Sequence, residues 1–223
     1  MAAPRAESDA LPAEIAVFPL SGALLLPEGR LPLNIFEPRY LALIEDSLAT
    51  GRMFGMVQPD PAAPRGEAGP GLYQVGCLGR LTSFAETEDG RFLVTLTGMT
   101  RFRVAEELPM RRGYRRVRAD YAPFRVDLAP AKPPALDRAA LLAALHPFFR
   151  LRGIEANWEA VEQTADAELV TTLAMVCPFE VPEKQALLEA QAPADRAAML
   201  IALLQMGAHG TPSGDAPPRG RMS

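Results

Sequence analysis

Residues 18–40 read FPLSGALLLPEGRLPLNIFEPRY and combine short apolar runs with repeated prolines. Apolar residues alternate loosely in Leu31–Phe36, and Pro27, Pro32 and Pro38 interrupt the stretch. Because proline cannot donate a hydrogen bond within a sheet, it is found at strand edges, strand starts and bulges. The stretch therefore predicts a short, irregular β region. It also predicts that a helix begins at Pro38, because the first helical position needs no N–H donor.

The segment after residue 40 predicts this helix and a return to strand. Apolar residues from Tyr40 to Leu48 recur at helical spacing, and Gly51 supplies a C-terminal stop. Residues 52–58, with the sequence RMFGMVQ, are strand-forming. The opening of the chain therefore alternates strand, helix and strand.

The clearest β signal lies between residues 75 and 121. Alternate residues are apolar or small from Val75 to Leu81 and apolar from Phe92 to Leu96, and Asp89-Gly90 lies between the two runs. An Asp-Gly pair before a strand is a strong hairpin signal. Further alternation follows at 102–104 and 116–121. Several short antiparallel strands joined by turns predict a barrel or a sandwich.

After the proline-rich segment 129–134, the apolar period becomes helical. Asp137 and Asn157 are placed to cap two helices, and prolines at 182 and 193 are placed to start two others. Pro147 predicts a kink or break within the first helix, and Gly207 predicts the end of the last. The predicted organisation is a disordered N-terminus (1–13), a β domain (14–128), a linker (129–135), a helical bundle (136–207) and a disordered tail (208–223).

The composition is that of a soluble globular protein. The chain has 223 residues, 48% of them hydrophobic, and a formal net charge of −4, so nothing global demands a nucleic acid or a membrane. Cys77 and Cys177 are too few for a secreted disulfide scaffold. The N-terminus has no apolar signal region, and no apolar run approaches the roughly 20 residues that cross a bilayer. We therefore expect a cytoplasmic protein.

Several motifs together resemble the N-terminal, substrate-binding domain of Lon proteases. The most specific is the opening stretch up to Glu-Pro-Arg-Tyr40, and the segment EKQALLEA at 183–190 with Arg196 resembles the helical part. Asn34 is a departure, since many family members have histidine there. The signature residues, to which we assign mainly structural roles, are Phe18, Pro19, Leu20, Pro32, Phe36, Glu37, Pro38, Arg39, Tyr40, Gly55, Gly76, Gly98, Arg101 and Phe102.

The resemblance implies an α+β fold in which a PUA-like antiparallel β-barrel with one or more short helices precedes an α-helical bundle. It also implies a non-catalytic module that binds protein or peptide segments, as an adaptor or a chaperone-like factor. The implied partners are unfolded or client protein segments and a separate ATPase or protease. No cofactor is implied, and neither a membrane nor a nucleic acid is an expected partner.

The residues themselves give no support for an enzyme. A P-loop needs Gly-Lys-Ser/Thr, and neither Lys132 nor Lys184 follows a glycine. Lys132 lies in the proline-rich linker, and Lys184, in the first turn of a helix, is expected to stay solvated. Cys77 is expected in the core and His146 before a kink, which disfavours a nucleophile–base pair. The few histidines and cysteines lack metal-ligand spacing.

Five apolar residues are candidates for peptide binding: Phe36, Tyr40, Phe54, Met56 and Met99. Packing in the core is the favoured interpretation for most of them. Those that line an open groove would suit loosely specific binding, because methionine and aromatic side chains adapt to varied partners.

Glu37 and Arg39 flank Pro38 at the predicted strand-to-helix corner. One interpretation is a recognition site. The favoured one is an ion pair that fixes the corner, with Arg101 as a further partner, since polar groups at such corners usually satisfy backbone ends.

The main alternative function is RNA binding, because PUA-like folds bind RNA in other families. Seven arginines form a basic segment: Arg101, Arg103, Arg111, Arg112, Arg115, Arg116 and Arg118. Strand alternation places most of them on an outward face. The segment 137–196 holds ten acidic and five basic residues, so this acidic helical half is able to lie against the arginines, and the sequence leaves open whether the basic face is exposed or covered. The lack of interleaved exposed aromatics makes the RNA signal weak.

Overall fold

The computed structural model describes residues 11–129 and 136–209. The predicted disordered ends and linker therefore lie mostly outside the described residues. Residues 11–13, predicted to be disordered, are described, and the Ala13 carbonyl accepts a hydrogen bond from the Ala119 N–H at 2.8 Å. Ala208 and His209, assigned to the tail, belong to the last helix.

Strands and one helix form the first half of the chain, and helices form the second. The first half contains β1 (Glu14–Pro19), β2 (Arg30–Ile35), α1 (Pro38–Ala49), β3 (Met53–Val57), β4 (Val75–Glu86), β5 (Phe92–Arg111), β6 (Tyr114–Asp120) and a 3₁₀ segment (Ala122–Leu128). The second half contains α2 (Arg138–Arg152), α3 (Trp158–Gln163), α4 (Asp166–Val176), α5 (Val181–Glu189) and α6 (Pro193–His209). The predicted α+β class is confirmed.

The six strands form one mixed sheet in the order β2-β5-β4-β3-β1-β6. The last strand, β6, also pairs with the second half of the 20-residue β5, so the sheet curls back on itself. The prediction of an all-antiparallel barrel is wrong in one pair, because β1 and β3 are parallel. Parallel neighbours need a long crossover connection, and β2 and α1 lie between them in the chain.

The curled sheet has apolar residues on both of its faces. One cluster lies inside the curl: Ile15, Val17, Val57, Leu72, Leu78, Phe102, Val104 and Val117. A larger cluster joins strand residues such as Leu96 to helical residues such as Leu141 and Leu200, so the core continues into the helical half. Residues 75–79 of β4 are consequently buried on both faces, whereas alternation had predicted one apolar face.

Three signature glycines permit close packing around this sheet. The Phe102 ring lies over Gly55 and Gly76, where an added Cβ atom would come within 2.8 Å and 2.6 Å of ring carbons. At Gly98, an added Cβ would lie 2.0 Å from the carbonyl oxygen of Leu26, because the loop before β2 crosses β5 there. These positions are therefore structural, as the sequence predicted for the signature.

The helical half confirms the two predicted helix caps and corrects two predicted positions at which a helix was to break or end. Asp137 accepts from the Ala140 N–H, and Asn157 from the Ala160 N–H. The predicted break at Pro147 is wrong, since α2 runs on through Pro147 to Arg152 and its core residues stay buried on both sides of it. Gly207 does not end α6; it lies inside the helix, where an added Cβ would meet the Phe148 ring at 2.5 Å.

The strand β2 lies at the open edge of the sheet. It pairs with β5 from Arg30 to Ile35, and no second partner strand is found among the described residues. Pro32 is exposed in the middle of this edge strand. Its lack of an N–H removes a donor, which is one of the ways in which edge strands are protected from pairing with other chains.

Candidate functional site

Three of the five predicted peptide-binding residues belong to the core. Phe54, Met56 and Tyr40 are 0%, 2% and 7% exposed. The Tyr40 ring packs edge-on against Phe18 at 4.1 Å between centroids. These three side chains are therefore unavailable to a peptide, because α1 and the sheet enclose them. For these three residues, packing in the core replaces the predicted role in peptide binding.

The two other candidates lie apart from each other. Met99 is partly buried against the cluster inside the curled sheet. Phe36, directly after β2, is 64% exposed. Only Phe36 therefore offers a large apolar surface to a partner.

Two exposed apolar residues lie on opposite faces of the β4–β5 hairpin: Phe84 is 40% exposed and Leu93 is 46% exposed. Leu93 pairs with Asn34 of β2, and Ile35 pairs with Phe92, so the chain at Phe36 runs beside the hairpin strand that carries Leu93. Phe84 pairs with Val94 and therefore faces away from Leu93. We call Phe36 and Leu93 the hairpin patch.

Phe84, on the other face of the hairpin, is exposed because the hairpin extends past the core. Residues 82–86 of β4 are all exposed, although β4 and β5 remain paired as far as Glu86 and Phe92. Phe84 pairs with Val94, and its ring contacts the Phe92 ring edge-on at 5.0 Å. The aromatic pair stiffens the hairpin while it leaves much of the Phe84 ring in solvent.

Charges around the hairpin patch are only partly compensated. At the turn, Arg91 donates to Asp89 at 2.8 Å, and the hydrogen bonds from Arg91 and Thr87 lower the pKa of Asp89 to about 2. Glu86 and Glu88 are exposed, and neither has an ion-pair partner among residues 11–129 and 136–209. The tip of the hairpin is therefore net negative.

At the start of α1, Arg39 donates to Glu37 at 2.7 Å, so the predicted corner pair is confirmed. Both side chains are about half exposed. The expected further partner is wrong: Arg101 is buried elsewhere. Residue spacing could not show this, because it does not reveal which carboxylate reaches a buried arginine.

Arg101 connects the sheet to the helical half. Its side chain is 2% exposed and holds Asp127 of the 3₁₀ segment at 2.8 Å and 2.9 Å. It also donates to the backbone carbonyls of Leu188 and Ala190, at the C-terminal end of α5. Arg101 therefore satisfies the unpaired carbonyls of a helix end, and it is not part of a surface for RNA.

The remaining arginines of the basic segment are mostly paired within the first half of the chain. Their carboxylate partners come from β1, α1 and β5 and not from the acidic helical half. The pairs are Arg111 with Asp46, Arg112 with Glu45 and Asp46, Arg115 with Glu107, Arg116 with Glu14, and Arg118 with Glu14 and Glu106. Compensated arginines attract phosphate groups less strongly than a bare basic face would.

The nucleophile and base candidates are held in structural roles. Burial raises the pKa of the Cys77 thiol far above its usual range and that of Cys177 to about 12. Lys184 is buried, contrary to the expectation of a solvated amine, and donates to the Gly22 carbonyl at 2.6 Å; burial lowers its pKa. His146 stacks on Trp158 at 3.8 Å between ring centroids.

The described residues contain neither a metal-binding cluster nor a helix that could span a membrane. In the part of the chain that the structure describes, no group of three or more His, Cys, Asp or Glu side chains could hold a metal ion. Among those same residues, every helix is too short or too polar to cross a bilayer.

Solved structures place this arrangement in the fold class of Lon N-terminal domains. The crystal structure of a Lon N-terminal domain protein from Xanthomonas campestris matches with a TM-score of 0.57 at 25% identity, covering 85% of this chain and 97% of that chain. The N-terminal domain of a Lon protease from the Mycobacterium avium complex matches with a TM-score of 0.56 at 18% identity, covering 86% and 97%. The second likeness shows the fold alone.

Sequence comparison then gives the family. The family model described as the ATP-dependent protease La (LON) substrate-binding domain matches residues 14–206. This chain therefore belongs to the Lon substrate-binding domain family. The description of the family is that of a substrate-binding domain, so the predicted family and its coarse substrate-recognition role are confirmed.

The curated relatives are much longer proteins. A Lon protease of Desulfosudis oleivorans is 28% identical over 97 residues, which are 43% of this chain and 12% of that protein. Lon protease 2 of Sorangium cellulosum is 29% identical over 124 residues, which are 54% of this chain and 14% of that protein. The match thus covers about an eighth of the length of these relatives.

Proposed function

We propose that this chain captures apolar segments of unfolded or client proteins at the hairpin patch and presents them to a separate ATPase or protease. The observation that carries the proposal is the exposure of Phe36 and Leu93 beside each other at the β2–β5 edge of a sheet whose other large side chains are mostly buried. Clustered exposed apolar residues mark interaction sites on soluble proteins. Family membership supports the substrate-recognition role.

The geometry favours side-chain recognition over backbone pairing. Pro32 interrupts the donors of the open β2 edge, so a client strand cannot pair along its whole length. The patch instead offers an aromatic ring and a leucine, which accept many apolar sequences without fixed register. Binding of this kind is suited to clients that are unfolded but have no sequence motif in common.

The test is binding of a permanently unfolded protein, such as fluorescently labelled, reduced and carboxymethylated lactalbumin, followed by fluorescence anisotropy. The variant Phe36→Ser/Leu93→Ser should weaken binding by tenfold or more. Full burial of one such side chain is worth about 1.5–3 kcal/mol, and about 1.4 kcal/mol corresponds to tenfold in Kd.

The matched control is Met206→Ser, which removes a 68% exposed apolar side chain from α6, outside the patch. This control should bind like the unmodified chain. Equal affinity of the double variant and the unmodified chain would refute the proposal, and so would an equal loss in the control. Circular dichroism of each variant shows that the fold is kept.

RNA binding, the alternative from the sequence, stays a prediction. The ion pairs of the basic segment support the protein-binding proposal over it. The same anisotropy measurement with a labelled single-stranded RNA, in the presence of competing unfolded protein, tests it.

A further inference from the structure

We infer that the hairpin patch is one end of a larger, uncharged binding surface, and that this surface selects client segments that carry no charge where they contact it. The inference rests on the proposed function and adds the chemical class of the bound segment. The surface is the outward face of β2, β5 and β4, and we call its central residues the neutral platform. They are Pro32, Asn34, Ser83, Ala85, Leu93 and Thr95.

The strand register places the neutral platform on one face of the sheet. Residues that pair directly across antiparallel strands point to the same side, and residues two apart along a strand do so as well. The two rows that result, each named from β2 through β5 to β4, are Asn34, Leu93, Ala85 and Pro32, Thr95, Ser83. Phe36 is exposed two residues after Asn34, while Ile35 between them is buried, so Phe36 extends the platform beyond the first row.

The neutral platform is open to solvent. All of its residues are exposed except Thr95, which is half-buried. The residues between them in β2 and β5, such as Leu33 and Val94, are buried in the core. The inward face of these strands is therefore already packed, whereas the outward face is free to receive a partner.

No side chain of the neutral platform is charged, and the nearest charged residues lie at its margins. Arg30 and Arg80 belong to the next row, where both pair with β5. Arg91, at the other end, is held by Asp89 at 2.8 Å, and Glu86 points to the opposite face of the hairpin. A charged residue over the middle of the platform would therefore lose water without gaining a partner of opposite charge.

The dimensions of the neutral platform fit a short extended segment. Neighbouring strands lie about 4.8 Å apart, and residues two apart along a strand are separated by about 6.7 Å. The platform thus measures about 10 Å by about 7 Å, and an extended chain that rises by about 3.3 Å per residue crosses it with about four residues. The client feature that it requires is an uncharged stretch of that length beside the apolar residue that contacts Phe36.

The expected discrimination is moderate, because the platform is open to water on its outer side. A lysine or a glutamate in the middle of the bound stretch should weaken binding by about threefold to tenfold relative to serine. A carboxylate placed on the platform should return about two- to fivefold of affinity to a lysine-containing segment, as exposed ion pairs do. The same carboxylate should weaken the binding of a glutamate-containing segment further.

The experiment uses three labelled peptides that share an apolar core and differ in one central residue, which is serine, lysine or glutamate. Their binding to the full chain is measured by fluorescence anisotropy, and the serine peptide should bind most tightly. The variant Asn34→Asp changes an exposed amide of the platform into a carboxylate of the same shape. In this variant the ratio of lysine-peptide to serine-peptide affinity should rise by about two- to fivefold, and the ratio for the glutamate peptide should fall. Asn34→Lys should move both ratios in the opposite direction.

The matched control is Asn157→Asp, which adds the same charge at the N-cap of α3 in the helical half, where aspartate caps as well as asparagine does. This control should keep the affinity ratios of the unmodified chain, and a change equal to that in Asn34→Asp overturns the assignment to the platform.

The remaining outcomes separate this inference from the proposed function. Equal binding of the three peptides to the unmodified chain, or unchanged ratios in Asn34→Asp, overturns the neutral platform but leaves the proposed function standing. If none of the three peptides binds, both are overturned. Sedimentation velocity tests the other occupant of an open sheet face, a second copy of the chain. A dimer that Asn34→Asp dissociates would overturn the inference, because the platform would then be covered by the partner copy.

Discussion

Replacing Asp127 by asparagine should strongly destabilise the whole protein. Asp127 is the only carboxylate that pairs with the buried Arg101 among the described residues, and the two side chains are 8% and 2% exposed. The variant Asp127→Asn keeps the size of the side chain but removes its charge. The guanidinium of Arg101 would then be buried with neutral acceptors alone, namely the carbonyls of Leu188 and Ala190 and the amide oxygen introduced at position 127.

The expected cost follows from this burial. Removing one partner of a buried ion pair costs about 3–5 kcal/mol, because the other charge is left uncompensated. Typical domains have a total unfolding free energy of only about 5–15 kcal/mol. Asp127→Asn should therefore remove a large share of the stability, in contrast to Glu37→Gln at the half-exposed corner pair, where about 0–1 kcal/mol is expected.

Urea unfolding measures the effect with two probes. Trp158, the single tryptophan, reports on the helical half through its fluorescence, and far-ultraviolet circular dichroism reports on the whole chain. Because Arg101 joins the sheet to the end of α5, both transitions should move together to lower urea. A loss below about 1 kcal/mol, or a shift in only one probe, would refute the argument that this pair fastens the two halves.

Three further perturbations have defined outcomes. Gly98→Ala should lower the thermal midpoint severely, because an added Cβ would lie 2.0 Å from a carbonyl oxygen of the crossing loop; an unchanged midpoint would contradict that packing. Tyr114→Phe should lower the free energy of unfolding, measured with urea, more at about pH 6 than at about pH 2.5. The hydrogen bond from the Tyr114 hydroxyl is the main cause that lowers the pKa of Asp46 below its usual 3.8. Stability that comes from a lowered pKa is lost as acid protonates the carboxylate. Cys77 and Cys177 should react with Ellman's reagent only after unfolding, since burial raises both pKa values; rapid reaction in the native state would contradict their burial.

Local sequence signals predicted helix starts and turns well where a single residue type determines the backbone geometry. Asp137 and Asn157 cap helices because a short side-chain oxygen reaches a free N–H three residues ahead, and that requirement is visible in sequence. The hairpin turn follows from Asp89-Gly90, and Gly90 has a φ of +79°. Pro147 predicted a kink or a break, whereas buried residues on both sides of it stabilise α2 as one continuous helix.

Contacts between distant residues could not be predicted in the same way. The partner of Arg101 is 26 residues away, in a segment with no strong pattern, so the sequence could not assign it. Lys184 looked solvated because its acceptor, Gly22, is 162 residues earlier in the chain.

The hairpin patch was only partly predictable. Phe36 was visible as an apolar residue outside the strand period. Leu93 carried a similar signal, because an apolar residue stands among polar ones on the outward face of β5. Phe84, on the other face of the hairpin, gave no sequence signal of exposure, since its exposure comes from the length of the hairpin beyond the core.

Pro32 has a consequence for any protein that holds unfolded chains. A free strand edge beside an apolar surface is a template on which captured segments can add as strands and accumulate as insoluble fibres. The missing N–H of Pro32 interrupts that template. Under the proposed function, a captured segment would therefore stay attached through its side chains alone and could leave again, and replacing this proline would favour aggregation of captured segments on the β2 edge.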